Sequence, residues 1–249
     1  MARPPRRDLT PAYRLASGIL HPIMQGLTRH DWHGAEHLPR TGGFLACSNH
    51  MSYVDPVTLA HFLFDNGREP YYLGKIEVFN VPVVGAILRG ARQIPVYRES
   101  GQAADAFRAA VAAVREGRCI AIYPEGTLTR DPDIWPMTPK TGAAKIALTT
   151  KCPVIPIAQW GPQELLAPYG KRPKLWPRPT MQVTAGPPVD LSDLYDQPMT
   201  RTLLMTASER IMDAITAQLA VLRGEPAPAQ RFDIRKSTLP RTGNPNRKK

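Results

Sequence analysis

Residues 44–56 read FLACSNHMSYVDP and set His50 and Asp55 five positions apart, directly after a short apolar run. An imidazole and a carboxylate at that spacing meet if the chain turns between them. The carboxylate then accepts a bond from one ring nitrogen, fixes the tautomer, and leaves the other nitrogen basic enough to take a proton. The same residues, with Ser48, Asn49 and Ser52 around them, also suit a polar turn that merely caps a strand. Read alone, the pair leaves both readings open.

Three further segments carry polar groups where a bland sheet needs none. CIAIYPEGTLTR runs four mostly apolar residues into Pro124-Glu125-Gly126-Thr127. A glycine there lets a substrate approach the backbone and leaves an N–H to donate. Glu125 reads as a cap, a salt-bridge partner or a site residue. The stretch from Tyr72 to Arg98 holds Lys75, Arg89, Arg92 and Arg98. Arginine beside a strand suits phosphate, because its planar fork binds two oxygens. For Arg89 and Arg92 the simpler reading is solvent-facing charge. The fourth segment, CPVIPIAQWG, is a buried strand flanked by prolines.

These groups need elements to hold them. From residue 43 onward, short apolar runs alternate with helical patterns: GFLACSN, DPVTLAHFLFDN, YYLGK, RQIPVYR, AADAFRAAVAAVREG, CIAIYPEGT, TGAAKIALTTK, PVIPIAQWG and TMQVTAGPPV. A last helix covers residues 200–223. This rhythm predicts an α/β sheet with helices on its faces. Each polar segment follows a predicted strand, and ligands of open α/β sheets gather at the strands' carboxyl ends.

Upstream, Thr10-Pro11 reads as a helix start. Ala12, Leu15, Ala16, Ile19, Leu20, Ile23 and Leu27 follow at helical spacing, with Pro22 predicting a kink or two short helices. That stripe either docks on the protein's own core or lies in a membrane surface. Residues 1–9 form a basic arm. The segment 225–249, rich in proline, arginine and lysine, is expected to be mobile. The organisation is therefore a 1–30 arm and membrane-facing helix, a 31–224 α/β domain, and a 225–249 basic tail.

A chain of 249 residues is large enough for one sizeable core, and its formal charge of +11 calls for an anionic partner. Cys47, Cys119 and Cys152 are widely spaced and lie in apolar stretches, so they read as buried reduced thiols rather than a zinc site. No run reaches the roughly 18–20 apolar residues of a spanning helix, and no signal peptide is read at the start. The expectation is a soluble or peripheral protein, not an integral one.

In this order, the segments resemble the glycerolipid acyltransferase family, closest to bacterial 1-acyl-glycerol-3-phosphate acyltransferases. Residues 49–55 match N-H-x-S-x-x-D at every fixed position, QIPVYR ends in Arg98 like the second motif, and Pro124 to Thr127 match P-E-G-T. CPVIPIA loosely fits the fourth motif, and Lys140 to Ala143 fit K-x-G-A. The likeness covers about residues 30–190. One departure is visible: many members carry arginine directly after E-G-T, where this chain has Leu128-Thr129-Arg130.

The resemblance implies a central mixed, largely parallel sheet flanked by helices. It implies transfer of a fatty acyl chain from acyl-CoA or acyl carrier protein to the free hydroxyl of 1-acyl-glycerol-3-phosphate. His50 is then the base, Asp55 its holder, and Lys75 with the Gly126 backbone the oxyanion donors. Arg98, Glu125, Gly126 and Thr127 would bind the glycerol phosphate, with Arg130 as helper. No metal or prosthetic group is required. The implied setting is the cytoplasmic face of the cell membrane, held by anionic lipid. A same-fold enzyme with another acceptor (glycerol-3-phosphate, 2-acyl-lysophosphatidate or an amino-lipid) stays open. A serine esterase is disfavoured because no G-x-S-x-G elbow occurs. Nucleic-acid binding is disfavoured because the basic residues are spread and no reading motif is present.

Overall fold

The computed structural model describes residues 9–96, 103–240 and 243–245. Along the chain, α1 (Pro11–Leu27) and β1 (Arg29–His33) precede β2 (Phe44–Ser48), α2 (Asp55–Asp65) and β3 (Pro70–Lys75). Two short helices, α3 (Ile76–Phe79) and α4 (Val84–Gly90), lead to β4 (Ile94–Val96), α5 (Ala103–Arg115) and β5 (Cys119–Ile122). The rest is α6 (Gly142–Thr150), β6 (Val154–Trp160), α7 (Pro162–Leu165), β7 (Thr180–Ala185) and α8 (Arg201–Arg223).

The strands form one seven-stranded sheet in the order β1-β7-β6-β2-β5-β3-β4. Every pairing is parallel except β6 with β7, so the sheet is mixed and largely parallel. The central strands are buried on both faces, as parallel strands covered by helices must be. Alternate residues serve opposite layers. Leu45, Cys47, Ile120 and Val154 pack under α5, α6 and α8, whereas Phe44, Ala46, Ala121 and Ile155 pack against Leu59, Phe62 and Leu63 of α2. Each such large side chain contributes about 1.5–3 kcal/mol by leaving water. The three cysteines are buried and unpaired.

Helix α1 forms as the Thr10-Pro11 start requires, with the Thr10 hydroxyl accepting from the Tyr13 N–H. It runs through Pro22 as one element rather than as two helices. Packing on both sides of the proline holds it: Tyr13 stacks near Phe64, His21 bonds Asp65, and Met24 is buried. The apolar stripe is another matter, because Leu15, Ile19, Leu20 and Ile23 face solvent.

The tail meets the body at one stretch, residues 231–234, which are half-buried. Arg231 pairs with Glu209 and Asp213 of α8, and the Thr138 N–H donates to Phe232 O at 3.0 Å. Ion pairs and backbone bonds fasten this segment, so a count of its apolar residues misses what holds it. Residues 1–8, expected as a basic arm, lie outside the described residues.

Candidate active site

Strands β2 and β5 are neighbours in register, with Cys47 opposite Ile122. Their carboxyl ends therefore deliver Asn49-His50 and Pro124-Glu125 side by side. Leaving β2, the chain turns at residues 50–54 and re-enters α2 at Asp55. The Asp55 carboxylate points back into that turn. Its Oδ2 lies 2.8 Å from His50 Nδ1 and accepts the Met51 N–H at 2.5 Å and the Ser52 N–H at 2.8 Å. Three contacts on one oxygen shape the loop around the acid. Asp55 also opens its helix, where the macrodipole favours negative charge.

Burial raises the Asp55 carboxyl above the usual range, opposed by the bond from His50 and the two backbone donors. Asp55 keeps no side-chain exposure, whereas His50 keeps 15 %. With Nδ1 facing the acid, the exposed edge is the Nε2 side. The ring rests on Tyr123 of the β5 end, centroids 4.1 Å apart and nearly parallel. Position, tautomer and tilt of the imidazole are all set by neighbours, which is the arrangement a general base needs.

Glu125 is a strut in this arrangement. Its Oε1 accepts the His50 N–H at 2.9 Å and its Oε2 accepts the Met137 N–H at 2.9 Å. Only 2 % of the residue is exposed. Burial lifts its carboxyl to about 8 against those two backbone bonds. Both oxygens accept from the backbone of the loops that carry His50 and Met137. Gly126 departs from expectation. Its N–H donates to Tyr123 O at 2.9 Å and closes the turn, so it is not presented as an oxyanion donor. The glycine is still required, since φ is +71° and a Cβ would meet Lys140 Nζ at 2.9 Å.

The following residues wrap the same loop. Thr129 N–H donates to His50 O at 2.7 Å, and Thr127 is buried beside it. Arg130 is buried, with its guanidinium 4.6 Å over the Tyr169 ring and one nitrogen donating to Gly243 O at 2.7 Å. Its Nε and Nη1 have no partner among the described residues. Lys75 ends β3, three residues past Tyr72, which pairs with Ala121 of β5. It thus belongs to the same end of the sheet. Arg98 lies outside the described residues. Arg89 donates to Phe79 O at 2.7 Å and serves the α3–α4 turn.

Sequence reasoning passed over Gln159, at the end of β6. Its N–H donates to Asn49 Oδ1 at 2.9 Å, and Asn49 Nδ2 returns a bond to Gln159 O at 3.0 Å. This reciprocal lock anchors the residue before His50. A glutamine inside the apolar run VIPIAQW was the available signal, because a fully buried amide needs partners. Tyr123 and Met137 left no such signal.

A parallel-strand α/β core that presents a carboxylate-held histidine beside an E-G-T turn is the architecture of an acyltransferase, and the comparisons agree. Residues 29–160 match the Acyltransferase family model, so the chain belongs to that family. It is 31 % identical over 166 residues to the 1-acyl-sn-glycerol-3-phosphate acyltransferase of Bacillus subtilis, an alignment spanning 66 % of this chain and 75 % of that one. It is 31 % identical over 125 residues to the enzyme of that name from Borreliella burgdorferi, covering 50 % and 48 % of the two chains. The crystal structure of the 1-acyl-sn-glycerophosphate (LPA) acyltransferase PlsC from Thermotoga maritima superposes with a TM-score of 0.65 at 20 % identity, over 86 % of this chain and 81 % of that one. That last likeness concerns the fold.

Proposed function

We propose that the protein transfers a fatty acyl chain from an acyl thioester, of coenzyme A or acyl carrier protein, to the free hydroxyl of 1-acyl-glycerol-3-phosphate, giving phosphatidic acid. The observation that carries this reading is the His50–Asp55 contact at 2.8 Å with the ring edge exposed. His50 Nε2 takes the hydroxyl proton as the oxygen attacks the thioester carbonyl. Asp55 stabilises the imidazolium. Collapse of the tetrahedral intermediate breaks the C–S bond, and the thiolate leaves with the proton from His50. No acyl-enzyme forms. With the Gly126 N–H committed to its turn, oxyanion stabilisation falls to Lys75. The two unpartnered nitrogens of Arg130 suit the acceptor phosphate, and Arg98 is assigned to the same task by its motif.

The acceptor resides in a lipid bilayer, and the surface suits access to it. No helix among the described residues is long and apolar enough to cross a membrane. The exposed Leu15, Ile19, Leu20 and Ile23 of α1, with Val78, Val81, Val83 and Val84 near α3 and α4, offer apolar area. The charge of +11 favours anionic headgroups. Peripheral attachment at the cytoplasmic face follows as part of the proposal.

The test is turnover of His50→Ala on 1-acyl-lysophosphatidate with acyl-CoA, with glycerol-3-phosphate and 2-acyl-lysophosphatidate as competing acceptors. Loss of a general base removes about 100- to 10,000-fold in rate. Wild-type turnover by the variant would overturn the assignment, and preference for glycerol-3-phosphate would change the acceptor.

A further inference from the structure

A second histidine cluster stands apart from the reacting centre. His61 and Asp65 occupy successive turns of α2, six and ten residues beyond Asp55, or about 9 and 15 Å along the axis. His21 of α1 reaches across to them. Its Nε2 lies 2.6 Å from Asp65 Oδ1, and His61 Nε2 lies 3.7 Å from Asp65 Oδ2. One donor atom from each of the three residues falls within 4.8 Å of the others.

His61 is the feature that ordinary packing leaves unexplained. The residue is 5 % exposed, and neither ring nitrogen has a hydrogen-bond partner among the described residues. Its ring is boxed edge-on by His21, His30 and Trp32 at centroid distances of 4.5, 4.5 and 4.9 Å. A buried imidazole normally finds at least one partner for its nitrogens. The Asp65 carboxylate and the His21 imidazole stand within ligand reach of it, the donor set that divalent transition metals favour.

We propose that His21, His61 and Asp65 bind a divalent transition-metal ion of the Zn2+ type, which staples the amphipathic helix α1 to the body of the enzyme. Tetrahedral Zn2+ with bonds near 2.0–2.1 Å sets its ligand atoms about 3.3 Å apart. One donor atom from each residue already lies within 4.8 Å of the other two, so side-chain rotations that draw the three together complete the triangle. The side chains of His21 and Asp65 keep 22 % and 21 % exposure, which leaves an entry path and a fourth position for water. The ion takes no part in acyl transfer. It ties α1, through His21, to the helix that Asp55 begins.

The experiment uses the full chain, stripped with a chelator and dialysed, then titrated with Zn2+ against a chromophoric competitor and with Co2+ in the visible. One Zn2+ per chain is expected, together with the intense absorption of four-coordinate Co2+. His21→Gln and Asp65→Asn, both at partly exposed positions, should each weaken Zn2+ binding at least tenfold. His33→Gln, at an exposed histidine outside the cluster, should not. Saturable binding absent from wild type, a weak six-coordinate Co2+ spectrum, or equal affinity in all variants would each overturn the proposal. His61→Phe extends the series if circular dichroism shows it folded.

Discussion

His50 and His61 sit on either side of the same helix start, each beside an acid, and their environments are opposite. His50 lies in the turn before α2, where the backbone is free to swing the imidazole onto Asp55 at 2.8 Å. His61 lies inside α2 with Asp65 four residues on, and the regular backbone holds the pair at 3.7 Å. A loop lets an acid and a base find their best geometry, whereas a helix imposes the geometry of its pitch. The loop pair is surrounded by fixed backbone donors. The helical pair is surrounded by aromatic edges, and only a partner from α1 completes it. A third contact, His33 with Asp31 at 2.8 Å, is exposed on both sides and shows what the same chemistry amounts to in water.

The sharpest way to break this comparison is Asp55→Ala. The change removes the ring's holder and strands the N–H groups of Met51 and Ser52. We expect turnover to fall as far as in His50→Ala, and urea denaturation to show a loss of about 2–4 kcal/mol from the buried donors left unpaired. Retained turnover would mean that Tyr123 alone orients the ring.

Next in size is Glu125→Gln. An amide cannot accept both backbone N–H bonds, so either the His50 loop or the Met137 loop loosens. We expect about a tenfold loss in kcat, with KM little changed, because the base is displaced rather than the substrate. The pH profile gives a second reading. Glu125 in the folded protein holds its proton up to about 8, against an ordinary value of 4.5. The stability from this group is thus complete below about 4.5 and declines as pH rises through about 8. Chemical denaturation across that window should slope downward in wild type and flatten in the variant.

Arg130→Met tests the phosphate side. Charge-assisted bonds are worth about 1.5–3 kcal/mol, so the acceptor KM should rise roughly tenfold or more while kcat stays within a few-fold. A loss confined to kcat would place this guanidinium at the reacting carbonyl. Smallest of all is His33→Gln. With side-chain exposures of 62 % and 43 % for its pair, it should shift stability by less than about 1 kcal/mol and leave turnover unchanged.

Much of this was legible before any coordinates. The alternation of apolar runs and helical patterns foretold β2, α2, β3, β5, α6, β6, β7 and α8, because central parallel strands must be continuously apolar to be buried on both faces. The N-H-x-S-x-x-D and P-E-G-T segments marked the site. Edge strand β1 escaped notice, since RHDWH is polar and half exposed and shows no apolar run. The docked tail escaped because its fastening is ionic. Arg130 could be named, but its stacking on Tyr169 and its bond to Gly243 link residues far apart in the chain.

By itself, the sequence determined which side chains could do chemistry and that each would stand at the end of a buried strand, because residue type and local periodicity are properties of neighbours along the chain. Only the tertiary structure decided what those groups touch. It set Glu125 between the His50 and Met137 loops and closed the Gly126 N–H into its own turn. It also set Gln159 behind Asn49 and drew His21 to His61 and Asp65. The Glu125 and Gln159 contacts depend on β5 and β6 lying on either side of β2, an order set by the packing of the whole core rather than by any one segment.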